Sequence, residues 1–142
     1  MKKIVIYEGP ENSVSVLYPC ECGLTIEQIA KKDVPKGSDY AIVDADSIPS
    51  DLTFFPVWKY NEGEIEIDLD GAKELWKNKW REARKPKLEA LDLAYMRATE
   101  TQNKSEIARI IQEKQELRDV TNTPIPGTTP EEIKAVWPEI LN

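Results

Sequence analysis

The stretch WREARKPKLEALDLAYM, residues 80–96, decides how the second half of the chain folds, because it places Pro86 inside an otherwise helical pattern. Four basic residues, Arg81, Arg84, Lys85 and Lys87, surround that proline. At ~100° per residue, Trp76, Trp80, Ala83, Leu88, Leu91, Tyr95 and Ala98 keep one phase across it. Two independent helices need not preserve that phase. The pattern therefore favours one long kinked helix over residues 72–98, with Pro86 toward its outer side. An interior proline costs ~3 kcal/mol, partly relieved by bending. The alternative leaves Lys85 extended and restarts the helix with Pro86 at its first position.

Downstream, ETQNKS (100–105) reads as a polar turn, and a second helix follows from about Ser105 to Val120. Ile107, Ile110, Ile111 and Leu117 share one face of it, with Lys114 snorkelling from the same face. Two consecutive helices joined by a short turn pack antiparallel. Residues 121–129 form a linker carrying Pro124, Pro126 and Gly127. Thr129-Pro130-Glu131-Glu132 then combines a cap, a proline at the first helical position and acids on the helix dipole. A short helix over EEIKAVW follows, ended by Pro138, and Ile133, Val136 and Trp137 fold it back onto the protein.

Upstream of Asp70, the expected cap of the long helix, the pattern is that of strands. KIVIYEG (3–9) and SVSVLYP (13–19) flank Gly9-Pro10-Glu11-Asn12 as a β-hairpin. Thr25 and Gln28 have the spacing of a capping box for a helix over about 26–32. YAIVDA (40–45) is a third strand, and FFPVWKY (54–60) with EIEIDL (64–69) form a second hairpin around Asn61-Glu62-Gly63. The predicted class is α+β: a small N-terminal sheet with one short helix (1–69), an antiparallel helical hairpin (70–120), and a Pro-rich linker with a short C-terminal helix (121–142).

The chain has 142 residues, enough for one ordinary domain or two small ones. Four tryptophans, five tyrosines and two phenylalanines argue against a wholly disordered chain. No apolar run approaches the ~20 residues of a membrane span. The N-terminus reads as a strand and not as a secretory signal, so cytoplasmic residence is the expectation. The net charge is −7 and uneven. Residues 1–71 hold 6 basic against 14 acidic residues, residues 72–98 hold 8 against 4, and residues 99–142 hold 5 against 8. An acidic chain with one basic segment is a poor general binder of nucleic acid, because its own field opposes approach to phosphate.

The absence of histidine removes Ser-His and Cys-His nucleophile systems and the commonest metal ligand. Cys20 and Cys22 supply two thiolates where a closed zinc site needs four ligands, and read as reduced loop thiols. Asp44, Asp46 and Asp51 match no calcium-loop spacing, and read as turn and cap residues beside Pro49. No catalytic residue, cofactor site or metal site is expected. The basic cluster Lys79, Arg81, Arg84, Lys85 and Lys87, with Trp76 and Trp80 as stacking platforms, is the alternative reading: a regulatory nucleic-acid binder. Glu82 and Glu89 interleave the charges, as on a solvated helix face.

Three segments resemble a known family. LTIEQIAKKDVP (24–35), YAIVDADSIPSDLTF (40–54) and Trp58 resemble the N-terminal region of small proteins encoded among the tail and tail-fibre genes of tailed bacteriophages. WREARKPKLEALDLAYMRA (80–98) with QELRD (115–119) resembles the helical region of phage tail assembly chaperone-like proteins, and TTPEEIKAVWPEIL (128–141) resembles their C-terminal part. PCECG (19–23) and FFPV (54–57) depart from that pattern. The resemblance implies a non-enzymatic tail or tail-fibre assembly chaperone or small structural adaptor. It would act in the host cytoplasm during phage assembly, with the virion tail as a further location. Its partner would be a tail or tail-fibre protein, with a homo-oligomer as a further assembly. On that reading Trp76, Trp80, Leu88, Leu91 and Tyr95 are the partner-facing stripe and Arg81, Arg84 and Lys85 its polar rim. The competing assignment for the stripe is the core of the helical hairpin.

Overall fold

The computed structural model describes residues 2–142. The chain is α+β and divides once, between Leu69 and Asp70, into two compact units.

The first unit is built on strand β1 (Lys3–Glu8). It is the centre of a three-stranded antiparallel sheet, flanked by β2 (Val14–Leu17) and β3 (Tyr40–Asp44). Val5 pairs with Leu17 on one side and Ile42 on the other. A central strand covered on both faces reads as a continuous apolar run, and Ile4, Val5 and Ile6 are all buried. Helix α1 (Ile26–Asp33) covers the Val5 face through Ala30, with Val34 beyond its end. The capping box is formed: Thr25 Oγ1 accepts from Gln28 N at 3.2 Å, and Gln28 Oε1 accepts from Thr25 N at 2.8 Å.

The second hairpin differs from expectation in two ways. It forms a separate two-stranded sheet, β4 (Trp58–Asn61) with β5 (Glu64–Ile67), where a single sheet was expected. The strand expected from Phe54 begins only at Trp58, and Phe55–Val57 is a 3-10 turn. Pro56 explains this, because it lacks the N–H a strand would donate and its ring fixes φ. Glu62 and Gly63 make a two-residue turn with φ of 49° and 87°, the geometry that suits a right-twisted hairpin. A Cβ on Gly63 would also stand 3.3 Å from Ala41 Cβ. Tyr60 Oη donates to Asp39 Oδ2 at 2.9 Å, tying β4 to the residue before β3.

In the second unit, α2 runs unbroken from Leu69 to Glu100 through Pro86. Pro86 therefore neither ends nor restarts it, and it lies on the exposed side. Asp70 falls inside the first turn, two residues past the cap position at Asp68. Helix α3 (Lys104–Asp119) is capped by Asn103, whose Oδ1 accepts from Glu106 N at 3.2 Å. It lies antiparallel to the second half of α2. Arg84 meets the carbonyls of Leu117 and Arg118, while Asp92 meets Lys114 at 2.5 Å. Lys114 also stands 5.6 Å over the Tyr95 ring, so it spans the seam as a snorkelling lysine should. Ile110 and Leu117 are buried, but Ile111, expected beside them, is 53% exposed. The interface is narrower than the four-residue stripe, and Ile111 lies beyond its edge.

Residues 121–142 belong to the same compact unit as the hairpin. Ile125, Ile133 and Leu141 are buried. Helix α4 is short, Pro130–Lys134, with Thr129 Oγ1 accepting from Glu132 N. The segment returns along α2 from Trp76 to Lys87. Trp76 Nε1 donates to Val136 O at 2.8 Å, its ring meets Trp137 edge-on at 5.7 Å, and Lys87 Nζ donates to Asn142 O at 2.7 Å.

Two outcomes are expected. Burial and the bond to Asp39 push the Tyr60 hydroxyl up from 10.0 to about 12. That contribution is complete below pH 10.0 and is lost as pH rises toward about 12, because the unfolded chain ionises first. Urea titrations of the wild type should show stability falling across this window, and a Tyr60→Phe variant should lack that component. Pro86→Ala restores a donor for the Glu82 carbonyl on an exposed face, and should stabilise the protein by up to ~3 kcal/mol in thermal unfolding.

Candidate protein-protein interface

The side chains proposed from sequence as a partner-facing stripe are mostly turned inward. Trp80 has no exposed surface, and Trp76 is half-buried and held by Val136 and Trp137. Leu88 and Leu91 are half-buried. Tyr95 stays exposed beneath Lys114. Among the basic residues, Arg81 donates to Glu74 Oε1 at 2.8 Å and to Asn78 on its own helix. Arg84 donates to Leu117 O at 3.2 Å and Arg118 O at 3.0 Å. It places a cation on the carbonyl end of α3, where the helix dipole favours one. Lys85 points to solvent. On this geometry Trp76, Trp80 and Arg84 hold the second unit together.

The carboxylates Asp44, Asp46 and Asp51 do not converge. Asp44 is paired with Lys3 Nζ at 2.7 Å. Asp51 Oδ1 accepts from Thr53 N at 3.0 Å and Thr53 Oγ1 at 2.5 Å, a local turn bond. Asp46 is exposed. Cys20 and Cys22 are free and exposed. Their mutual hydrogen bond raises the Cys20 thiol and lowers that of Cys22. Among the described residues, no three side chains of metal-ligating type gather around one point. No described helix is long and apolar enough to cross a membrane.

The first unit carries an apolar groove of about 450 Å³ that the strand and helix periodicities do not reveal. Val16 and Tyr18, two residues apart on β2 and its extension, form one wall. Ile48 and Leu52 form another, from the loop after β3. Phe55 and Pro56 close one side, and Trp58 lies at the floor, 1% exposed, with its ring 5.0 Å from that of Phe55. Tyr18 and Leu52 are 62% and 61% exposed. Its wall at residues 45–53 is held by short bonds. Ser47 Oγ donates to Asp44 O at 2.6 Å, Ala45 N to Lys2 O at 2.8 Å, and Phe55 N to Leu52 O at 3.1 Å.

The groove escaped sequence reading because Tyr18 and Phe55 read as strand residues, whereas Tyr18 lies past the end of β2, Phe55 lies in a 3-10 turn and Leu52 lies in a loop, where no period assigns a face. The available signal was the residue type itself: large apolar side chains beside Pro19, Pro49 and Pro56, in segments that otherwise favour polar residues. No protein-family model matches this chain, and neither a curated protein nor a solved structure matches it.

The structural assignment of the basic residues is directly testable. Arg84→Met removes a charged donor from two helix-end carbonyls and should cost about 1–3 kcal/mol in urea unfolding. Lys85→Ala, one residue away and exposed, should change stability by no more than ~0.5 kcal/mol.

Proposed function

We propose that this chain is a non-enzymatic bacteriophage tail protein, acting through protein-protein contacts as a tail or tail-fibre assembly chaperone or small structural adaptor. The observation that carries this reading is the groove on the first unit, where Tyr18, Leu52 and Phe55 leave large apolar surface in water around a buried tryptophan. Contiguous apolar surface of this kind marks an interaction site, whereas single exposed apolar residues do not. The resemblance of residues 24–58, 80–98, 115–119 and 128–141 to phage tail accessory proteins supplies the biological setting. It points to the host cytoplasm during assembly, and to the virion tail, as the places where the contacts are made.

The reading through nucleic acid has less support. Arg81, Arg84 and Lys87, which would have to meet phosphate, already bond within the chain. Releasing them would cost stability as well as side-chain entropy.

The test is affinity purification of the tagged full chain from phage-infected cells, with the recovered proteins and nucleic acids identified. A tail or tail-fibre protein recovered in stoichiometric amount, and retained at 0.5 M salt, is the expected result. Recovery of nucleic acid without a tail protein, or of no tail protein at all, overturns the proposal.

A further inference from the structure

The groove does not end at its apolar floor. Tyr18, Ile48 and Leu52 also line an adjoining hollow of about 400 Å³ whose other walls include Asp46 and Ser50. The two hollows thus share three side chains, and we treat them together as one cleft with an apolar end and a carboxylate end. The carboxylates beside Asp46 are differently placed, since Asp44 is neutralised by Lys3 and Asp51 is turned into its own loop. Asp46 thus carries an exposed charge at the cleft wall. The surrounding field has the same sign, because residues 1–71 hold 14 acidic against 6 basic residues.

The cleft also adjoins an open strand edge. Strand β2 is the outer strand of its sheet. Beside it, β4 makes one ladder bridge among the described residues, Lys59 with Ser13 just before β2, and the 3-10 turn at Phe55–Val57 stops that pairing from continuing along β2. Val16, which lines the groove, therefore lies on the uncovered stretch of β2. An extended segment can satisfy such an edge with main-chain hydrogen bonds, while alternate side chains enter neighbouring pockets.

We infer that this cleft binds an extended peptide segment of a partner protein, one that inserts an apolar side chain over Trp58 and places a lysine or arginine beside Asp46. The inference rests on the adaptor reading and names the chemistry of what the adaptor holds. Three features select that occupant. The aromatic and aliphatic walls take an apolar side chain. The open β2 edge takes an extended backbone. The negative field attracts a cation and repels a second copy of this chain, whose net charge is −7.

The experiment is selection of random displayed dodecapeptides on the immobilised full chain, followed by anisotropy titration of the enriched peptides. It is run beside the purification from infected cells. Leu52→Glu and Tyr18→Ser are the variants, because both side chains are exposed and neither change disturbs the core. Enriched peptides should combine apolar residues with lysine or arginine. They should lose at least about tenfold in affinity on Leu52→Glu and about three- to tenfold on Asp46→Asn, and the Asp46 effect should fade at high salt. Failure of any peptide to enrich, enrichment without basic residues, or affinities unmoved by Leu52→Glu overturns the inference. So does a dimer in sedimentation velocity that Leu52→Glu dissociates, since the occupant is then a second copy. A tail protein recovered equally by wild type and Leu52→Glu leaves the adaptor standing and rejects the cleft. Peptides that depend on Leu52, with no tail protein recovered, retain the cleft and reject the adaptor.

Discussion

A proline in the middle of a helix removes one hydrogen bond and costs about 3 kcal/mol, and the second unit is arranged so that this loss is outweighed. Helix α2 stays continuous through Pro86 because both of its halves are covered. The first half carries Trp76 and Trp80 and is held by the returning C-terminal segment through Val136 and Trp137, and Asn142 meets Lys87 just past the proline. The second half is held by α3 through Asp92 and Tyr95, and Arg84, just before the proline, meets the end of α3. Fully burying one large apolar side chain contributes about 1.5–3 kcal/mol, so the buried side chains along both halves together offset the loss at Pro86. Pro86 itself lies on the exposed side, where its ring displaces nothing packed.

The same segment explains why a basic cluster on this helix is a poor guide to a ligand. Charge is read along the sequence, but bonding is decided across it. Arg84 lies 33 and 34 residues from the carbonyls it bonds, and Lys87 lies 55 residues from Asn142. A cation that terminates a neighbouring helix and a cation that awaits phosphate look alike until the neighbour is placed. The acidic first unit shows the converse. Asp44 and Asp51, close in sequence to Asp46, are absorbed by an ion pair and a turn, which leaves Asp46 as the charge on the cleft wall.

The first unit turns a modest sheet into a platform by stopping its second hairpin early. Pro56 prevents β4 from extending back along β2, and the resulting 3-10 turn presents Phe55 beside Trp58. Without that interruption the outer edge of β2 could continue its pairing and the groove would be filled by the protein's own backbone. The loop at residues 45–53 then supplies the opposite wall, held by side-chain-to-backbone bonds that need no hydrophobic core.

What the amino-acid sequence determined alone are the features whose physics is local. The Thr25–Gln28 box, the Thr129-Pro130 helix start, the apolar run of β1 and the phase of α2 each depend on residues within a turn or two of one another. Capping, propensity and periodicity operate over that distance, so these elements were legible with small errors at their ends. Tertiary structure decided what each face meets. It buried Phe54 while leaving Phe55 at the rim, exposed Ile111 beside buried Ile110, spent Arg84 on a helix end, and brought Tyr18, Leu52 and Trp58 around one groove. Those outcomes were not legible, because burial and charge pairing depend on residues distant in the chain. A one-dimensional pattern records which side chains share a face, and only the packed structure supplies what that face meets.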